Sequence, residues 1–336
     1  MDKPKNKRIV CLGLIVADIL VRGVPTPFDF DIDTHFVNEI SLQSGGDANN
    51  QAQTLAKLGS QVAIAGRIGH DAIGEILYKK ICSLGIDTTA LEIADNCKTD
   101  FSVVLITETG KRTFLFQPGG NNDFCLGKHI YHAVEQANIL SLGSLRGLPG
   151  LDGNPVIEIL HYAREKGVVT VADTTSGKKM LPKELLFRAI SELDYFLPSR
   201  DELIDITGCS NIIDGVKLLL KQGVKTIVVK CGSDGVIAAT GNELFYVPAC
   251  PVSTIDTTGA GDNFVAGILH KLEEGAGLKE CICFANAIAA ISTTTLGACT
   301  ADFSTVELQK FEAWSAHQLR VEPVSYTHLR AHETPE

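Results

Sequence analysis

Short apolar runs alternate along this chain with longer stretches whose apolar residues recur every three or four positions. Residues 8–14 make an apolar run of strand length, and 61–65, 138–142, 168–173, 195–197 and 226–230 repeat it. Ile139-Leu140-Ser141 and Val228-Val229-Lys230 lack polar–apolar alternation, as strands covered on both faces do. Helical periodicity marks 47–58, 71–84, 155–166, 201–207 and 212–222. Strands alternating with helices through short links predict an α/β fold, a doubly wound and mostly parallel sheet flanked by helices.

Two stretches break the alternation. Residues 19–42 hold two extended segments around Pro25 and Pro27, and 101–107 and 113–117 flank the turn signal Glu108-Thr109-Gly110-Lys111. No helical pattern separates these strands. They predict a small antiparallel β-sheet lid, formed by about 17–43 and 98–120, on a single domain spanning 1–323. Such a flap closes a site against water.

Composition narrows the classes of partner. The chain carries 30 Lys+Arg against 40 Asp+Glu, a net charge of −10, with no basic block. Nucleic acid is therefore not an expected partner, because phosphate backbones require clustered cations. The 10 cysteines are scattered without a C-x-x-C pair, so they read as small buried hydrophobes in a reducing compartment. No segment reaches transmembrane length and no signal peptide precedes the first apolar run, so the expected location is the cytoplasm, with no membrane partner. At the other end, the helical pattern of 305–319 looks terminal. Residues 324–334 resemble one reading frame of a sequencing adapter, so 324–336 is expected to be a non-native tail.

The chemistry concentrates in Asp256-Thr257-Thr258-Gly259-Ala260-Gly261-Asp262, which precedes the apolar run 264–269. Small residues at Gly259, Ala260 and Gly261 leave backbone N–H groups unobstructed at the start of a helix. Those groups lack internal partners and sit at the positive end of the helix dipole, which suits an anion such as phosphate. A carboxylate beside such a cradle, Asp262, is placed to take a proton from a hydroxyl that attacks phosphorus. As sequence alone, a glycine loop capped by an aspartate reads equally well. Gly45-Gly46-Asp47-Ala48-Asn49-Asn50 opens an earlier helix, where Asn50 offers both a donor and an acceptor and Asp47 suits an N-cap. Asp18 follows the first strand and its turn, where open α/β sheets bind ligands. Cys231-Gly232-Ser233-Asp234-Gly235 and Pro198-Ser199-Arg200-Asp201-Glu202 each follow a strand. Glu202 suits a water-ligated Mg²⁺ or, equally, a first-turn helix acid.

In order and spacing, this set resembles the ribokinase-like (phosphofructokinase B) carbohydrate kinases over roughly the whole native chain. The resemblance implies an ATP-dependent sugar kinase with a lidded α/β domain, in which many members pair as homodimers through their lids. It makes Asp262 the base and Gly259, Ala260 and Gly261 the amide donors to the transferring phosphoryl group. Asp18, Gly45, Gly46 and Asn50 are implied to bind sugar hydroxyls. Ser199, Glu202, Lys230, Gly232, Gly235 and Asn286 are implied to surround ATP, with Glu202 on Mg²⁺ through water. Asp256, Thr258 and Gly297 resemble a monovalent-cation site, for which K⁺ is the expected ion.

The chain departs from the family pattern at Ser199, where Asn is frequent, and at Val16 and Asp47, where ribokinases carry Asn and Lys. The segment from Asp173 to Gly177 lacks an arginine found in several relatives, for which Arg112, Lys178 and Lys179 are candidate substitutes. These departures concern the substrate rather than the chemistry. A nucleoside kinase is the alternative, with Phe28, Phe30, Phe36 or Phe101 as a platform for the base. A non-catalytic sensor is disfavoured by the presence of Asp262. A dinucleotide oxidoreductase is disfavoured because no G-x-G-x-x-G follows the first strand.

Overall fold

The computed structural model describes residues 8–175, 181–303 and 305–324. Lys178, Lys179 and the expected tail residues 325–336 lie outside them.

A ten-stranded sheet forms the body. Its order is Arg320–Pro323, Glu243–Val247, Val236–Ala239, Thr226–Lys230, Tyr195–Phe196, Val169–Thr174, Ile139–Leu145, Ile9–Leu12, Val62–Gly69 and Asp87–Ala94. From Thr226–Lys230 to Asp87–Ala94 the strands run parallel, and at the other edge the pairing turns antiparallel. The first strand shows why this sheet needs helices on both faces. Ile9 and Cys11 enter one hydrophobic core, Val10 and Leu12 the other, and all four are fully buried. Unbroken apolar runs are the sequence consequence of this two-sided burial.

The second sheet is the lid. Its order is Glu39–Gly45, Val16–Val24, Asp100–Thr107 and Arg112–Gln117. The two outer pairs are antiparallel, as expected of hairpin-like segments, while the central pair Val16–Val24 with Asp100–Thr107 runs parallel. Leu20, Val104 and Ile106 form its small buried cluster, whereas Phe114, Leu115, Phe116 and Ile40 are exposed.

Several elements lie beyond the sequence reading. Asp87–Ala94 is half exposed and polar, so no apolar run marks it. Helices Lys128–Glu135 and Lys183–Ser191 each span fewer than three turns. Arg320–Pro323 is an exposed strand at the sheet edge, so the chain continues past the helix Thr305–Gln318 that looked terminal. Val324, expected as the first tail residue, donates its N–H to Asn242 O at 2.9 Å and packs against the core.

Two helices position the chemistry. Asp47–Lys57 begins at Gly46, whose φ of 89° disfavours a side chain and whose Cβ would meet Leu14 O at 2.4 Å. Ala260–Glu274 begins at Gly259, also left-handed with φ 71°. The helices are tied by a buried hydrogen bond from Thr54 Oγ1 to Asn263 Oδ1 (2.7 Å). Ala260–Glu274 is backed in turn by Leu278–Ser292. A Cβ added at Gly267 would lie 2.7 Å from Ala285 Cα in that neighbour.

Two effects therefore oppose each other at Gly267→Ala. Helix propensity favours Ala by about 1 kcal/mol, while overpacking against backbone costs roughly 1–3 kcal/mol. Packing wins: the variant should melt at lower temperature than wild type, and a higher melting temperature would show that the two helices separate easily.

Candidate active site

A cleft of about 820 Å³ opens at the carboxyl ends of Val169–Thr174, Tyr195–Phe196 and Thr226–Lys230. This is where open α/β sheets bind ligands. Its polar wall includes Asp173, Ser199, Glu202, Lys230 and Asp262, and its apolar wall includes Val252, Phe264, Ala289 and Ala290. A flat apolar group and a charged tail can therefore lie in one cavity, within the usual range of ligand sites.

Asp262 stands in the first turn of Ala260–Glu274, half-buried. Its Oδ2 accepts a hydrogen bond from Asn50 Nδ2 at 2.7 Å, joining residues 212 positions apart. The early and late glycine motifs thus meet at one carboxylate. Burial, then the like charge of Asp47, push the Asp262 carboxyl up to about 8 against the opposing effects of Asn50 and Lys230. Asp47 is held rather than free. Its Oδ1 accepts from Leu14 N (3.2 Å), Ala48 N (2.7 Å) and Ser144 Oγ. Burial raises its carboxyl too, against those hydrogen bonds.

Among the described residues, Lys230 is the cation that lines the cleft. Its Nζ lies 2.5 Å from Asp173 Oδ2. Burial opposes its charge, yet Asp173, Glu202 and Asp262 hold the ammonium above the usual lysine range. Burial likewise lifts the Asp173 carboxyl above the usual carboxylate range. A Cβ on Gly261 would sit 3.5 Å from Lys230 Nζ, so the ammonium faces the glycine turn. Within that turn the Ala260 N–H donates to Thr257 O at 3.2 Å. The Ala260 N–H, expected to donate to an anion, thus already has a partner inside the turn.

Asp18 follows the first strand and its turn, and lies within the lid strand Val16–Val24. Its carboxylate is pressed against Gly45, where a Cβ would meet Asp18 Oδ2 at 1.9 Å. Burial raises the Asp18 carboxyl to about 6. Val16, at a position where ribokinases carry Asn, is paired in the lid and buried.

Glu202 closes a capping box. Its Oε2 accepts from Ser199 N at 2.8 Å, and Ser199 Oγ accepts from Glu202 N at 3.3 Å. Both residues also line the cleft. No cluster of three or more His, Cys, Asp or Glu able to hold a metal ion occurs among the described residues. Gly232 has open space where a side chain would stand, whereas Gly235 is needed for packing: its Cβ would meet Val247 O at 2.1 Å. The Asn286 amide nitrogen donates to Pro248 O and Ser315 Oγ, both at 2.9 Å, which commits it to bracing the cleft wall.

Asp256, Thr258 and Gly297 do come together. Asp256 Oδ1 accepts from Thr258 N and Oγ1 (3.0 and 2.7 Å), and Oδ2 accepts from Gly297 N (3.0 Å). A further group reaches them, the guanidinium of Arg112 from the lid, 3.1 Å from Asp256 Oδ1. Arg112 as a cation for an anionic substrate is thus corrected: its charge is committed to Asp256. The Lys230–Asp173 pair is a site feature missed in sequence, although both residues lie at the carboxyl ends of apolar strands, with the two-residue strand Tyr195–Phe196 between them.

The comparisons with known proteins agree with this geometry. Residues 6–305 match the model of the pfkB family carbohydrate kinases. Among curated relatives, the aminoimidazole riboside kinase of Salmonella typhimurium is 29% identical over 272 residues, covering 76% of this chain and 84% of that protein. The ribokinase of Haemophilus influenzae is 26% identical over 300 residues, covering 87% and 94%. Among solved structures, Arabidopsis thaliana ribokinase complexed with ribose and ATP superposes with a TM-score of 0.79 at 26% identity, covering 91% of this chain and 98% of that one. The chain belongs to the pfkB family of carbohydrate kinases, phosphotransferases that act on sugar hydroxyls.

A base must be ionised to accept a proton. With the Asp262 carboxyl raised to about 8, kcat/KM should fall as the pH drops below that value, well above the ordinary carboxylate range. Asp47→Asn removes a like charge, favours the ionised form of Asp262, and should move this limb to lower pH. Profiles taken with both substrates subsaturating check both statements, and a limb that stays put in the variant contradicts the stated coupling.

Proposed function

We propose that this protein transfers the γ-phosphoryl group of ATP to a hydroxyl of a small neutral sugar, in the manner of a ribokinase or fructokinase. The observation that carries the proposal is the Asn50–Asp262 hydrogen bond, which sets the base of the late motif against the amide of the early one. In this reading ATP lies in the cleft with its base along the apolar wall near Ala289 and Ala290. The triphosphate points to the Gly259–Gly261 turn and Lys230. Asp18, Gly45, Gly46 and Asn50 hold the sugar hydroxyls, the first of them from the lid.

Asp262 accepts the hydroxyl proton as that oxygen bonds to the γ-phosphorus. The bond to the β–γ bridging oxygen breaks, and ADP leaves with its electron pair. Amides at the helix start face the charge that develops on the transferring group. Mg²⁺, when bound, neutralises triphosphate charge. The acids here fit an ion held chiefly by phosphate and water: one Glu202 oxygen is engaged by Ser199, which leaves the other for a water ligand. All ten cysteines are free thiols, which fits a cytoplasmic setting.

A second reading has an observation of its own. Phe28 packs edge-on to Phe30 (5.1 Å between centroids) and lies 4.4 Å from His35, an aromatic group on the lid side. That group suits a riboside base. A screen of ADP release with ribose, fructose, sugar acids and nucleosides separates the two readings, and silence with every acceptor overturns both. Asp262→Asn should lower kcat roughly a hundred- to ten-thousand-fold with little change in ATP affinity. Near-normal turnover would remove Asp262 from the mechanism.

We also propose pairing of two copies through the lids. Phe30 and Phe36 are 90% and 94% exposed, and Phe114 and Phe116 remain largely open, an apolar surface of a kind that monomers seldom leave uncovered. Sedimentation should show a dimer for wild type and a monomer for Phe114→Asp/Phe116→Asp. A monomeric wild type refutes the pairing.

A further inference from the structure

The lid touches the phosphate end of the site at one charged residue. Arg112 begins the lid strand Arg112–Gln117. Its Nη2 lies 3.1 Å from Asp256 Oδ1 and donates to Thr257 Oγ1 at 3.0 Å, while Nη1 donates to Thr258 Oγ1. Thr257 and Thr258 lead directly into Gly259, the left-handed residue that starts the cradle helix. The Asp256 side chain is only 7% exposed.

The resemblance places a monovalent cation beside Asp256. The residues present do not fit one in addition to what they already hold. Both Asp256 oxygens are occupied by donors from Thr258, Gly297 and Arg112. A metal ion there would have to strip those donors, or share a carboxylate with a guanidinium already within hydrogen-bond reach. Like charges at that separation repel strongly in a partly buried site. Arg cannot be deprotonated and its planar fork suits one carboxylate and two hydroxyls, so it is the better fixed charge here.

We propose that Arg112 supplies the positive charge that braces the turn ahead of the anion cradle, in place of a monovalent metal ion. It is a positioning residue, acting through Asp256, Thr257 and Thr258 on Gly259. Because it belongs to the lid, the brace exists only when the lid lies over the site. The inference rests on the kinase reading above, and its failure is distinguishable: loss of that reading is the absence of ADP release by wild type with every acceptor in every salt.

The test compares wild type, Arg112→Ala and Arg112→Lys with and without potassium chloride, ionic strength being matched with tetramethylammonium chloride. Wild-type kcat should change less than about twofold on adding K⁺, whereas Arg112→Ala should lose roughly tenfold or more and recover in part with K⁺ or guanidinium. Arg112→Lys should stay independent of K⁺. Melting temperature gives a readout apart from turnover: K⁺ should stabilise Arg112→Ala specifically and leave wild type unmoved. The proposal is overturned if wild type requires K⁺, if K⁺ specifically raises its melting temperature, or if a folded Arg112→Ala retains full activity without K⁺. A folded Arg112→Ala that neither cation rescues also overturns it. If Arg112→Ala does not fold, the wild-type titration and Arg112→Lys decide.

Discussion

The site depends on how one buried ammonium balances several carboxylates. Lys230 pairs with Asp173 at 2.5 Å, and Glu202 and Asp262 also act on its charge. Asp47 adds a further negative group near Asp262. Burying an unpaired charge is expensive, so such a cluster persists only with internal hydrogen bonds or partial protonation. Both occur here. Asp47 is satisfied by two backbone amides and a hydroxyl, and Asp262 sits with its carboxyl raised to about 8. On the function proposed above, a chain of net charge −10 receives a triphosphate through a local positive field, Lys230 and a helix end facing one turn.

The backbone supplies the remaining precision. Gly46 and Gly259 each start a helix in a left-handed conformation, and each helix presents one side chain to the same point, Asn50 from one and Asp262 from the other. Gly267 lets Ala260–Glu274, the helix that carries Asp262, lie closely on its neighbour. Glu202 shows how structure and function share a group. Its carboxylate completes a capping box, which holds it at the cleft rim while leaving one oxygen for other work.

Much of this was legible in the chain. Apolar runs such as 226–230 announced the parallel strands because two-sided burial leaves no alternation to confuse with a surface strand. The glycine turn that opens the helix carrying Asp262 was legible because its residues are contiguous. What stayed hidden depends on long-range pairing. Asp87–Ala94 is half polar and forms a strand because Val62–Gly69 offers it an edge. Lys230 and Asp173 meet because the strand between theirs, Tyr195–Phe196, is only two residues long, which lets side chains from its two flanking parallel strands approach beyond its end. Arg112 was read as a partner for substrate, since nothing local to Arg112 or Asp256 announces their meeting. Asn286 was assigned to the nucleotide and lines the cleft, but the bonds of its amide nitrogen to Pro248 and Ser315, residues far away in sequence, were not legible.

The lid is not hung on a long tether. One of its crossings into the body is the single residue Gly46, between lid strand Glu39–Gly45 and helix Asp47–Lys57. The Asn50 N–H bonds back to Gly46 O at 2.8 Å, so the hinge forms part of the first turn of the helix that aims Asn50. The lid strand therefore leads with no intervening loop into the helix that carries Asn50. Asp18 rides on the lid and Asn50 on that helix, so the residues proposed above to hold the acceptor and to orient the base are joined through a single glycine.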